Sequence, residues 1–391
     1  MPRRIPKIGI PSTLLLLSIL VGAQQIETVN RVRVIHNEKG GKWGADLKVR
    51  LELVRTIGGL DAEENLSFYN PSDIVRDSLG NIYILDSGNN RIQKLNPEGK
   101  YLKTIGRKGQ GPGEFQEAYS MDIDEADDLF VLGSGRIEVF SSGGRPLKTI
   151  KLSDFFTIRI RLLKAGLIAR IRGRSFKMAM KQGKKLPNLL DVIDQKGKIK
   201  FAFGDPTDYG DRVTSYYANQ FQLDTDSEKN ICLSFWQQNR IEKYSPDGKI
   251  LWRADRPLNF RTDVIEKGSI DRKRGNQEIQ PKINTVSKGI AVDGQGRIWV
   301  VTLRRQLAKE EESLGSSIVS TDTGVVARTK PVQPKIVKAN VYKLEIFDSV
   351  GILLGEIPLA HHADGIRIFK DNLFIREDNE AMFYQYQIVE K

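Results

Sequence analysis

The sequence predicts an all-β protein, a six-bladed β-propeller built from four-stranded antiparallel blades. Three observations predict it. Alternating apolar runs separated by Gly, Asn and Asp turns recur along the chain, as consecutive antiparallel strands require. The turn glycines Gly99, Gly144, Gly197 and Gly248 follow one another at 45, 53 and 51 residues, and Gly351 comes after a gap of 103 that holds two insertions. The last unit lacks one strand, and the N-terminal region holds a segment that can supply it.

The chain has 391 residues and begins "MPRRIPKIGIPSTLLLLSILVGAQQ". Arg3, Arg4 and Lys7 precede an apolar core, Leu14 to Val21, and the small residues Val21-Gly22-Ala23 follow it. This is the layout of an export signal over residues 1–23, with a core shorter than the roughly 20 residues of a membrane span. No cysteine follows that core, so the expectation is a secreted or periplasmic protein without a lipid anchor and without a transmembrane segment once the signal is removed. Cys232 is the sole cysteine, which leaves stability to the size of the core rather than to a disulfide. It lies in "NICLSF", a buried strand by pattern, where cysteine acts as a small hydrophobe.

After an N-terminal extension, residues 24–47, the propeller is expected over 48–391. The first unit, "GNIYILDSGNNRIQKLNPEGKYLKTIG", aligns with "DDLFVLGSGRIEVFSSGGRPLKTIKL" and with "KNICLSFWQQNRIEKYSPDGKILWRAD". An extra strand opens each unit, as in "SDIVRD", "SMDIDE" and "GIAVDG", which gives four strands per repeat, the size of a propeller blade. Six units follow, near 67–106, 113–152, 155–205, 215–257, 282–359 and 361–391. The sixth has three strands, and "KVRLELVRTIG" (48–58) matches the outer-strand ending "KYLKTIG". Pairing Leu51–Ile57 with Tyr384–Val389 would close the ring and remove its open edges. Insertions are expected at 259–282, with a short helix, and at 304–340, polar and low in aromatics.

The first blade, "NPSDIVRDSLGNIYILDSGNNRIQKLNPEGKYLKTIGRKGQGPGEF", resembles the NHL repeat in its Gly-Asn-Ile-Tyr, Asn-Arg-Ile and Gly-x-Gly-Pro-Gly-x-Phe elements. The second blade resembles it well, the fourth and fifth in part, and the third and sixth in pattern only. The whole chain looks like the exported six-bladed propellers of bacteria, most of them without an assigned activity. "GRKGQGPGEF" therefore reads as a blade-to-blade crossing. A phosphate loop would need Lys and Ser/Thr where Pro112 and Gly113 stand, and a helix after it. Gly109, Gly111 and Gly113 are expected to supply positive φ, and Phe115 to pack between sheets.

Site residues are sought first where loops meet at the channel mouth: Asp73, Tyr119, Arg159, Tyr216, Lys288 and His362. A metal is not expected, because His361 and His362 are neighbours and His36 lies in the extension. NHL-type amidating lyases carry metal-binding histidines on separate blades, an arrangement this sequence does not show, and Asp73 with Asn219 falls short of a lactonase set. No Gly-x-Ser-x-Gly elbow is present. Arg91, Arg136 and Arg240 recur before an isoleucine and read as turn ties.

Charge is uneven. The net charge is +12; the signal carries three cations and no acid, leaving +9. Between Thr157 and Lys200 thirteen Lys and Arg face two Asp, a local +11, so the rest of the mature chain is near −2. Arg170, Arg172, Arg174, Lys177, Lys181, Lys184 and Lys185 are the expected contacts for an anionic partner. Export favours a protein or an anionic polysaccharide over nucleic acid. The sequence thus points to a monomeric, cofactor-free binding module, the alternative being a lyase or lactonase-type enzyme at the channel mouth.

Overall fold

The computed structural model describes residues 19–20, 25–59, 61–153, 157–172, 186–271, 277–308 and 340–391. Six four-stranded antiparallel sheets form the ring. Blade 1 comprises Pro71–Arg76, Ile82–Asp86, Arg91–Leu95 and Tyr101–Ile105, from the axis outward. Blade 2 comprises Ser120–Ile123, Leu129–Gly133, Arg136–Phe140 and Pro146–Lys151. Blade 3 comprises Thr157–Leu162, Ile168–Arg172, Leu190–Ile193 and Ile199–Phe203. Blade 4 comprises Phe221–Thr225, Ile231–Phe235, Ile241–Tyr244 and Ile250–Asp255. Blade 5 comprises Ser287–Val292, Ile298–Leu303, Tyr342–Phe347 and Leu353–Pro358. Blade 6 comprises Gly365–Phe369, Asn372–Glu377 and Met382–Glu390, with Val49–Gly58 as its outer strand. Each innermost strand neighbours those of the adjacent blades, and the sixth lies beside the first.

The repeat turns explain themselves locally. Where strand three bends into strand four, an Asn, Ser or Asp side chain accepts the backbone N–H four residues on: Asn96 from Lys100, Asp194 from Lys198, Asp348 from Ile352. The glycine inside each such turn, Gly99, Gly144, Gly197, Gly248 or Gly351, sits at φ between +76° and +91°. Blades then meet through apolar faces. Val75, Tyr83 and Ile92 of blade 1 pack with Met121, Val131 and Phe140 of blade 2, and Phe115 is fully buried between them. Its ring meets Phe140 edge-on at 6.3 Å.

The crossing loop differs from expectation in one respect. Gly106 and Gly113 have positive φ, but Gly109 and Gly111 do not. Gly109 is small for another reason: a Cβ there would fall 2.0 Å from the Glu114 carboxylate, which accepts the Gly111 N–H at 2.9 Å. The insertion at 259–282 also departs from the helix expected of it. Val264–Glu266 pairs with Lys282–Ile283, and Ser269–Asp271 with Gln277–Ile279. β-branched residues in "DVIEKGSI" favour that extended form. The helix stands earlier, at Arg212–Ala218, where the Asp211 side chain accepts the Thr214 N–H at 2.7 Å as its cap. The insertion docks on it: Gly268 N–H donates to the Thr214 hydroxyl at 2.9 Å. Of the second insertion, 309–339 lie outside the described residues; at its ends Arg305 Nε donates to Asn340 Oδ1 at 3.0 Å.

The closing pair runs from Met382↔Gly58 to Glu390↔Val49, with a bulge between Gln385 and Tyr386. The residues before it strap two further blades. A hairpin of Gln25–Val29 and Val32–His36 extends blade 4, its second strand parallel to Ile250–Asp255. The Asn37 side chain then ties blade 4 to blade 5, donating to the Asp255 and Gly351 carbonyls and accepting the Leu353 N–H at 2.7 Å. Trp43 N–H donates to the Leu354 carbonyl at 2.7 Å before the chain enters blade 6. Among the described residues no helix is long and apolar enough to cross a membrane. The expected export signal, 1–23, lies outside the described residues apart from the backbone of 19–20.

Two predictions follow from the closure. Removal of residues 1–58 will abolish the cooperative thermal transition, and Ile57→Ala, at a buried position, will cost about 2–4 kcal/mol in urea unfolding. An unchanged melting curve for the truncated chain would refute closure by this strand. The second concerns His36, where burial alone would lower the pKa but hydrogen bonds to Glu27 and Asp255 outweigh it and raise the pKa. A group raised in the fold stabilises below its unfolded value of 6.5 and loses that contribution as pH rises through the folded value. Hydrogen exchange of Val32–His36 will therefore quicken more above neutral pH in the wild type than in His36→Gln, after correction for intrinsic rates.

Candidate functional site

Side chains on alternate positions of the innermost strands point into the axis. Blade 1 contributes Asp73, blade 2 Asp122, blade 3 Arg159 and Arg161, blade 4 Asp224 and blade 6 Arg367, while blade 5 contributes Gly289. Each aspartate accepts a backbone N–H from the innermost strand of the next blade in the ring. Asp73 takes Met121 at 3.1 Å, Asp122 takes Leu162 at 2.8 Å and Asp224 takes Val292 at 3.1 Å. Two buried guanidiniums bridge these carboxylates across the axis. Arg367 reaches Asp224 at 2.8 Å and Asp122 at 3.3 Å; Arg161 reaches Asp224 at 3.4 Å and Asp73 at 3.5 Å.

Asp73 is the most heavily used of the three. Besides Met121 it accepts the Ser120 hydroxyl at 3.0 Å and the Ile74 N–H at 3.1 Å. Burial would raise its pKa, but Arg161, Arg367 and Arg159 hold it well below the usual carboxylate range. Arg159 is different: it approaches Asp73 at 3.7 Å and makes no hydrogen bond among the described residues. Burial and the nearby Arg161, Arg376 and Arg367 guanidiniums push its pKa down despite Asp73. A cavity of about 30 Å³ lies here, bounded by Asp73, Arg159, Arg161, Gly289, Gly365 and Arg376. That is room for about two waters or one small polar group.

The cavity brings together only part of the set expected at the mouth. Asp73 and Arg159 line it, and Lys288 stands at its rim through Asp364 at 3.7 Å. Tyr119 instead donates to Glu117 at 2.7 Å; burial, with that bond, pushes its phenol up to about 12. Tyr216 is on the helix, edge-on to Tyr217 at 5.1 Å. His362 is buried against Tyr342 at 5.5 Å. Asn219 caps that helix, its amide donating to the Thr207 and Ser215 carbonyls at 2.7 Å. Among the described residues no group of three His, Cys, Asp or Glu is placed to hold a metal ion.

The basic blade divides its cations between the interior and the surface. Arg170 is fully buried, with its guanidinium on Asp191 at 3.1 Å and on the Thr157 hydroxyl at 3.2 Å, so it cannot meet a partner. It occupies the second strand, flanked on both sides by other strands, where period 2 directs it into the sheet interface. The side chain of Arg172, and Arg174, Lys177, Lys181, Lys184 and Lys185, lie outside the described residues. Lys164, Lys196, Lys198 and Lys200 are exposed on the same blade. The repeated arginines act as ties: Arg91 donates to the Ser67 carbonyl, Arg136 to Glu114 and Arg240 to Asp205, each joining its third strand to the chain entering the blade.

Residues 50–226 match the model of the DUF5128 family, described as 6-bladed beta-propeller. A stretch of 80 residues is 36% identical to NHL repeat-containing protein 3 of Homo sapiens, 19% of this chain and 23% of that protein. The chain is an NHL-repeat-like six-bladed β-propeller. The match spans under a quarter of that curated relative, and so carries the repeat rather than the relative's role. Two solved structures share the fold. A candidate exported protein from Bacteroides fragilis gives a TM-score of 0.57 at 12% identity, covering 92% of this chain and 99% of that one. A member of the DUF4221 family from Bacteroides vulgatus gives 0.56 at 11%, covering 88% and 99%.

The propeller's axial network is testable through Asp73. Asp73→Asn removes the charge that Arg161 and Arg367 share and will destabilise by about 3–5 kcal/mol in urea. Because its pKa is depressed in the fold, the wild-type contribution is present above the unfolded value and is lost only as pH falls through the folded one. The difference between wild type and Asp73→Asn will therefore persist to below the ordinary carboxylate range.

Proposed function

We propose that this propeller is an exported binding module whose third blade attaches to an anionic partner, an acidic protein or an anionic polysaccharide. The observation that carries the reading is the confinement of charge: thirteen cations against two acids in 157–200, with the rest of the mature chain near −2. Arg159, Arg161 and Arg170 turn inward, while Lys164, Lys196, Lys198 and Lys200 are exposed. The layout of residues 1–23 supports export. The axial carboxylates favour binding over lactonase-type metal chemistry at the mouth, because Asp73, Asp122 and Asp224 already face guanidiniums rather than an open coordination position.

Clustered exposed cations act within a screening length of roughly 10 Å at 0.1 M salt. Replacing Lys177, Lys181, Lys184 and Lys185 with Ser will move elution from a heparin column to markedly lower salt while leaving the melting temperature unchanged. Replacing the exposed Lys39, Lys100, Lys103 and Lys249, outside blade 3, will shift elution much less. Equal shifts from both sets would show that net charge alone governs retention and would overturn the reading.

A further inference from the structure

We infer that the axial cavity is a receptor for a single carboxylate group, held by the guanidinium of Arg159. This site is separate from the polyanion face of blade 3 and does not depend on it. The argument starts from acceptors. Among the described residues Asp73 is the carboxylate that Arg159 approaches, and its two oxygens already serve Ser120, Met121, Ile74, Arg161 and Arg367. At 3.7 Å it gives Arg159 charge compensation without a hydrogen bond. The other nearby acids are engaged as well: Asp364 by Lys288 and by the Asp378 N–H, and Asp378 by Arg376 at 2.6 Å. A guanidinium with five N–H donors thus borders the cavity with its side chain only 15% exposed and no acceptor of its own.

The space beside it has a defined origin. Arg159 stands on blade 3, opposite blade 6 in a ring of six, where Gly365 lines the cavity, and Gly289 of blade 5 lies next to Gly365. A Cβ on Gly289 would come 3.0 Å from the Ile366 nitrogen, so side chains are excluded on that side. The volume, about 30 Å³, admits a carboxylate head. The fork of an arginine matches the two oxygens of a planar carboxylate, and the match strengthens where water is scarce. Nε of Arg161 and of Arg367 also lack hydrogen-bond partners and are buried around the same axis, so further unmet N–H donors stand near Arg159. The ligand is therefore a molecule or peptide end that presents one terminal carboxylate down the axis and leaves its remainder outside the mouth.

The test uses the full chain and acetate as the probe, in buffers matched to chloride for ionic strength. Acetate will raise the melting temperature of the wild type above that in chloride, and saturation transfer from protein to the acetate methyl will be seen by NMR. Arg159→Gln will lose both effects, and Arg159→Lys, which keeps the charge without the fork, will lose most of each. The Lys177/Lys181/Lys184/Lys185→Ser variant will keep both in full, which separates this site from the blade 3 face. An equal acetate response in Arg159→Gln, or no saturation transfer to the wild type, would overturn the proposal. A response to sulfate with none to acetate would overturn the carboxylate assignment. Should Arg159→Gln fail to fold, the wild-type and Arg159→Lys measurements decide the matter alone.

Discussion

The pairing of Val49–Gly58 with Met382–Glu390 is the constraint on which the rest of this molecule depends. A propeller sheet buries apolar surface only against the sheets on either side, so a ring with one open blade leaves two faces and two edges unsatisfied. Closing it with a strand from the opposite end of the chain converts a row of repeats into one cooperative body. The segment before that strand adds to the lock by holding blade 4 through the 25–36 hairpin and blade 5 through Asn37 and Trp43. One stretch of chain thus joins the outer edges of three consecutive blades. The cost is topological: these contacts link residues hundreds of positions apart, which raises the contact order that slows folding.

Ring closure is also what gives the axis its chemistry. Only when all six innermost strands stand side by side do Asp73, Asp122 and Asp224 meet Arg161 and Arg367. Charges removed from water repay their desolvation poorly unless every lone pair and donor is met. The aspartates satisfy that condition with backbone N–H groups from the following blade, so the same carboxylates fix blade spacing and neutralise the arginines. An apolar axis would be at least as stable, but it would not register the blades against one another so strictly. Arg159 is the exception, a charge for which the network supplies a neighbour but no acceptor.

Much of this was legible in the sequence, and the reasons for the remainder are physical. The repeat spacing of turn glycines and the likeness of "KVRLELVRTIG" to "KYLKTIG" disclosed six blades and their closure, because both are local patterns copied once per unit. Asp73 and Arg159 were expected on loops at the channel mouth, whereas both stand on innermost strands and line the axial cavity. Asp122, Asp224, Arg161 and Arg367 went unnoticed, although "SDI", "MDI" and "LDT" place an acid at nearly the same point of three such strands. Their meaning lies in contacts between blades, which periodicity within one blade cannot express. Arg170 misled for a related reason. Period 2 says that a residue leaves the sheet on one face, but in a propeller both faces of an inner strand are buried, so alternation does not distinguish solvent from neighbour.

That last point bears on how basic character is distributed. A sequence count assigns blade 3 thirteen cations as if they were equivalent, yet the fold sorts them by strand. Three on the first two strands, Arg159, Arg161 and Arg170, are drawn into the axial cavity or into ion pairs, Arg161 on Asp73 and Asp224 and Arg170 on Asp191. Those on the outer strand and its turn, Lys196, Lys198 and Lys200, remain in water. Inward guanidiniums act at short range, through hydrogen-bond geometry in a medium where charge is poorly screened. Outward ammonium groups act at long range and weaken with salt. The choice of residue follows the same division, arginine inside where a planar fork can bridge carboxylates, lysine outside where a hydrated point charge suffices. Blade 3 therefore holds two kinds of cation in one run, guanidiniums turned toward the axis or the sheet interface and ammonium groups in water, and strand position separates those described.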